Sequence, residues 1–166
     1  MDYQPSPKLT KDFVERNIPI EWPDLRWAYA HHWLDMKSIA ELADALASDD
    51  DELRVSIASA EAEGDDSALG SLLEAQARKH PASNETTRER WLALAVKWLY
   101  EHRETLDDPW NALEELWVAF DHPPVLNGLI RWMPLPPGTE LGEDAMLRRW
   151  QNLRDKIGKS PKPFTD

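Results

Sequence analysis

The chain has no cysteine, which excludes disulfides, thiol nucleophiles and thiolate metal ligands. Its six glycines are scattered, so no glycine-rich loop is present to cradle a phosphate. No Gly-x-Ser-x-Gly elbow occurs, and Gly70-Ser71 falls inside a predicted helix. No apolar run approaches the ~20 residues that a membrane-spanning helix requires. Met1-Asp2-Tyr3-Gln4-Pro5 lacks the basic and apolar regions of a signal peptide, so a cytoplasmic location is expected. Strand-type alternation is missing as well. Histidine is scarce. His31-His32 with Asp35 comes nearest to a metal motif, but no flanking glutamate or second cluster completes a coordination sphere. His80 and His102 stand alone, and His122 sits in a turn between Asp121 and Pro123. The expectation is a protein with no catalytic residues, no metal and no cofactor.

What the chain does have is tryptophan and acid. It contains nine tryptophans, thirteen prolines and a net charge of −12 in 166 residues. Nucleic acid and anionic membrane are poor partners for such a surface, and a basic protein is a good one. From Ser38 to Ala77 there are eleven acids against one base, Arg54. Capping accounts for Asp50, Asp65 and Asp66. It leaves Asp49, Asp51, Glu52, Glu61 and Glu63 unexplained, and a binding surface for a cationic protein would explain them. The candidate partner-binding residues are therefore Asp49, Asp50, Asp51, Glu52, Glu61, Glu63, Asp65 and Asp66.

Apolar periodicity predicts an all-α, single compact domain of about eight or nine short to medium helices in antiparallel hairpins. Residues 1–8 form a flexible arm, 9–158 the helical domain and 159–166 a loose tail. The first helix runs from Leu9 to Asn17. Trp22-Pro23-Asp24-Leu25 opens the second, whose stripe is Trp22, Leu25, Tyr29 and Trp33. Ser38-Ile39-Ala40-Glu41 has the form of a capping box for the third. The fourth spans about Asp51 to Ala62, with Leu53, Ile57 and Ala60 inward and Gly64 as its stop. The fifth starts at Asp65-Asp66-Ser67 and ends before Pro81. Asn84 caps the longest, which reaches to about Thr105. After a tight turn, Asp108 caps and Pro109 begins the helix that the chain is organised around, with Trp110, Leu113, Trp117 and Phe120 on one face and Pro123-Pro124 as stop. Val125 to Trp132 is a shorter helix with Leu126, Leu129 and Ile130 inward. The last carries Met146, Trp150, Leu153 and Ile157, with Gly158 as its end. Trp98, Trp110, Trp117 and Phe120 are the expected core.

Several stretches carry a family resemblance. They are Arg90-Trp91-Leu92, Leu99-Tyr100, Asp108-Pro109, the run from Glu115 to Pro123, and Arg131-Trp132-Met133-Pro134, with Trp22-Pro23-Asp24-Leu25 near the start. Together they resemble an uncharacterised bacterial family, a domain of unknown function. That family has an acid where this chain has Ala119, and tyrosines where it has Trp117, His122 and Trp132. Members are thought to be encoded beside polymorphic or contact-dependent toxins as immunity proteins. The resemblance thus implies a cytoplasmic protein that binds and neutralises a cognate toxin C-terminal domain, often a basic nuclease. The alternative is a non-enzymatic helical scaffold or adaptor without a toxin partner.

Overall fold

A computed structural model describes residues 9–81, 84–157 and 164. The arm expected over 1–8, the tail over 159–166 and the Gly158 stop lie outside the described residues, Phe164 apart. Eight α-helices and two short 3-10 helices occur among the described residues, with no strand, as the periodicity predicts. Packing is concentrated in two compact units, Met1–Arg88 and Glu89–Asp166.

The first unit contains α1 (Lys11–Asn17), α2 (Trp22–His31), α3 (Met36–Leu46), α4 (Asp51–Ala62) and α5 (Asp66–Lys79). α2 lies against α3 and α5, α3 and α4 pack as neighbours, α4 packs on α5, and α1 rests on α3. Leu25, Ala28, Ile39, Ala43, Leu69 and Leu73 fill the middle, each almost fully removed from water. Helix starts follow short polar side chains. Asp50 accepts the Leu53 amide at 3.0 Å and Asp65 the Ala68 amide at 3.0 Å. At α2 the buried Asp24 carboxylate reaches back to the Glu21 amide at 2.9 Å.

Two expectations in this unit need correction. α3 starts at Met36, and its cap is Asp35, which accepts the Ser38 amide at 2.7 Å. Ser38 and Glu41 are therefore inside the helix, and Glu41 faces Lys11 of α1 at 3.5 Å. Asp35 and Ser38 are both good capping types three residues apart, and the local pattern could not rank them. Trp33 is buried as expected, yet it is not on α2. The helix stops at His31, and His32 turns the chain at φ 57°.

Gly70 of α5 faces Tyr29 of α2, and a methyl group there would lie 2.6–2.7 Å from the outer ring atoms and hydroxyl of Tyr29. That hydroxyl donates to the Asp66 carbonyl at 2.9 Å. Alanine for glycine within a helix normally stabilises by about 0.5–1 kcal/mol. Here it forces the ring away and breaks the hydroxyl bond, so Gly70→Ala is expected to destabilise. In a Tyr29→Ala background the same change should stabilise, a coupling of about 1 kcal/mol or more. Urea unfolding of the four proteins measures it; equal effects in both backgrounds would refute the contact.

The second unit takes in most of α6 (Asn84–Glu101), the 3-10 helix Arg103–Thr105, α7 (Pro109–Ala119), the 3-10 helix Pro124–Leu129 and α8 (Glu143–Lys156). The side chain of Asn84, the expected cap of α6, is not among those described. α7 begins as predicted: Asp108 accepts the Trp110 and Asn111 amides at 3.1 Å, and Pro109 follows. Its end comes before the two prolines. Asp121 and His122 both turn left-handed, and the His122 amide closes on the Trp117 carbonyl at 2.8 Å. The helix expected over Val125–Trp132 is instead one 3-10 segment followed by turns. Leu126 and Leu129 are buried three residues apart, which suits three residues per turn. Ile130 is buried beside them in extended backbone.

The core of this unit centres on Trp150 of α8. It is fully buried, and its indole N–H donates to the Val96 carbonyl of α6 at 3.1 Å. Trp110 of α7 lies 5.3 Å away and Tyr100 of α6 5.5 Å away, ring centre to ring centre. Trp110, Trp117 and Phe120 are buried as expected. Trp98 is a correction. It is half-buried, stacked 3.8 Å from His102, whose Nδ1 meets the Trp98 carbonyl at 2.9 Å. Trp91 and Trp150 hold the positions of greatest burial instead.

Candidate protein-binding surface

All eight acids singled out in the sequence are exposed, and all lie in the first unit around α4. They do not form one patch. Asp49, Asp50, Asp51 and Glu52 gather at the start of α4, and Glu61, Glu63, Asp65 and Asp66 at its end and the start of α5. At 1.5 Å per residue the helix separates the two groups by about 18 Å. At ~100° per residue, Glu52 and Glu63 fall within about 20° of each other on one flank, and Glu61 falls on the other.

Local structure explains some of these acids and not others. Asp50 and Asp65 cap helices, and Asp51 and Glu52 sit at the positive end of the α4 dipole. Glu61 and Glu63 sit at the negative end, where a carboxylate is unfavourable. Helix stability therefore does not account for them.

Arg54, the one base of the block, is already engaged. Its guanidinium grips Asp44 through two hydrogen bonds of 2.9 and 3.2 Å. That hydrogen bond, with the attraction of the cation, holds the Asp44 carboxyl below the usual carboxylate range and raises Arg54. None of the eight acids joins an ion pair among the described residues, so their field reaches solvent with little neutralisation.

Between the two acidic ends runs a feature that periodicity did not single out. Leu53, Ile57 and Ala60 point inward, so the outward line of α4 is Asp51, Val55, Ala58 and Ala62, all exposed. Val55 is 66% exposed. Its position was legible, since two residues from Leu53 on a helix is the far side. Its apolar character on that far side is the signal a core-seeking reading passes over. An exposed apolar line with acids at both ends can dock on a partner: charge steers, and the apolar contact holds.

A tryptophan is exposed as well. Trp132 is 62% exposed in the second unit, edge-on to Trp117 at 5.4 Å. Asp108, which carries part of the family resemblance, is held below the usual carboxylate range, first by the Asn111 amide it caps and further by Arg131.

The nearest thing to a metal motif dissolves. His31 ends α2, stacked 4.0 Å from Trp27 with Nδ1 on the Trp27 carbonyl, while Asp35 caps α3. They do not share a helix. Among the described residues no group of three or more histidines and acids is placed to hold a metal ion. No described helix is long and apolar enough to cross a membrane.

Comparison with known proteins agrees with the resemblance seen in the motifs. The family DUF2247, described as an uncharacterized protein conserved in bacteria, matches residues 10–155. No curated protein and no solved structure matches the chain. With the match running from the N-cap of α1 almost to the end of α8, this chain belongs to the DUF2247 family of bacterial proteins.

Proposed function

We propose that the protein is an immunity protein, a stoichiometric binder that captures a cationic toxin domain, most fittingly a basic nuclease, and blocks it. The observation that carries this reading is the surface of α4. Eight exposed acids, none ion-paired among the described residues, flank an exposed apolar line at Val55. An enzyme that handles phosphate must present a basic cleft. Carboxylates held on a rigid helix can occupy that cleft in place of substrate, at the cost of desolvating only a few of them. Two carboxylates at the unfavourable end of a helix are a small stability loss that such a binding role offsets. The bacterial family and the immunity role implied by the sequence resemblance point the same way, and the protein would act in the cytoplasm, where an incoming nuclease meets its substrate.

The test begins with the gene next door. A toxin C-terminal domain encoded there, co-expressed with this chain, is expected to co-purify as a one-to-one complex and to lose its toxicity. A neighbouring domain that leaves this chain unbound, and kills cells in its presence, would overturn the reading. The helical-adaptor alternative would then stand.

A further inference from the structure

The second unit holds a cavity of about 560 Å³ that the binding role does not use. It lies between the start of α7, the segment after the second 3-10 helix and the first turns of α8. Trp110, Ile130, Met133, Leu135 and Met146 give it an apolar wall. Met133 belongs to a stretch that carries the family resemblance, as do Arg131 and Pro134, which also line the cavity. Its volume is within the range of small-molecule sites, about 300–1,000 Å³.

The polar groups at this cavity are unevenly satisfied. Arg131 is neutralised twice, by Asp108 at 3.2 Å and Glu114 at 3.5 Å. Arg149 is not. Its Nε donates to the Gly128 carbonyl at 3.0 Å and one Nη1 hydrogen to the Glu140 carbonyl at 2.9 Å. Both acceptors are neutral, and no carboxylate pairs with Arg149 among the described residues. Three of the five donors of the guanidinium remain, and Nη2 has neither partner nor solvent. Side chains on a helix lean toward its N-terminus. Arg149 therefore reaches back along α8 to Glu140, at the helix's own start. There Gly142 is the N-cap, at φ 103°, and no side chain caps the first amides. Nη2 is closed off from the cavity, so what meets there is a guanidinium with no carboxylate partner and one Nη1 hydrogen unused, together with a helix start that no side chain caps, although Glu143 and Asp144 stand in its first turn.

Glu143 also lines the cavity, and its carboxylate accepts from the Trp110 indole at 3.4 Å. It limits the charge the site accepts. Glu143 opposes any anion here and a phosphate dianion twice as strongly as a carboxylate, so a single carboxylate is the anion that the one charge of Arg149 can offset.

We propose that this cavity binds a small carboxylic acid with an apolar body, the carboxylate on Arg149 and the start of α8, and the body against Met133 and Met146. The site is separate from the acidic surface of α4 and does not depend on a toxin partner.

Octanoate is a suitable probe, with octanamide as its uncharged isostere. Calorimetry on the parent protein is expected to show one saturable octanoate site per chain and octanamide at least tenfold weaker. Amide shifts on titration should concentrate at Gly142, Glu143 and Met146. Arg149→Gln keeps a hydrogen-bond donor for Gly128 and should weaken octanoate at least tenfold. Equal affinity for octanoate and octanamide on the parent would overturn the proposal whether or not that variant folds. So would unsaturable uptake, or shifts centred away from α8.

Discussion

Replacing Trp150 by alanine is expected to cost about 3–5 kcal/mol of stability, the range for large aromatics removed from cores. Three terms act together. The indole is fully buried, so its whole transfer free energy is lost. It packs against Trp110 at 5.3 Å and Tyr100 at 5.5 Å, two rings on two other helices that cannot both close the void. Its N–H bond to Val96 is a buried polar tie between α8 and α6, and it goes too. A domain of ordinary stability has about 5–15 kcal/mol to lose, so the variant should be partly unfolded or melt far below the parent. Trp132→Ala is the control. That ring is mostly in water, and its removal should change stability by about 0.5 kcal/mol or less. Urea unfolding separates the two. Equal losses, or a Trp150→Ala protein as stable as the parent, would mean that Trp150 is not the centre of the second unit's core.

Trp150 and Trp98 show what the sequence could and could not reveal. Trp150 was legible because it recurs with Met146 and Ile157 at helical spacing. Trp98 met the same rule and is half-buried, because a helix of eighteen residues has more apolar circumference than its neighbours cover. Asp50, Asp65 and Asp108 were legible as caps because a cap is a contact three residues long. Where the deciding contact is distant, the reading failed. Glu41 looks like half of a capping box until Lys11, thirty residues earlier, is seen beside it. The left-handed pair Asp121-His122, with no glycine in it, ends α7 before Pro123 can. The acidic surface was visible as composition, and its division into two ends followed only from the helix between them. The cavity at Arg149 was invisible, since Trp110, Met133 and Arg149 share no local pattern.

Conversion of Asp51, Glu52, Glu61 and Glu63 to their amides is expected to slow association with a cationic partner by about tenfold or more at low salt. Asp50 and Asp65 are left intact because they cap α4 and α5, and their loss would confuse binding with folding. None of the four chosen acids joins an ion pair among the described residues, although Asp51 lies in the field of Arg54, and two of the four oppose the helix dipole. Asp51 and Glu52 favour that dipole, so the gains and losses should nearly cancel and leave the variant about as stable as the parent, which is a separate check that the fold is intact. Its association rate should also lose most of its salt dependence, because exposed charges steer only over the ~8–10 Å that physiological salt leaves unscreened. Val55→Ser should behave in the opposite way. A small exposed apolar contact acts after encounter, so dissociation should quicken while the association rate and its salt slope stay as they were. Stopped-flow binding to the cognate toxin domain at low and high salt distinguishes the two. If the amide variant associates as fast as the parent at both, the acids around α4 are a solvated surface only, and the partner must dock elsewhere.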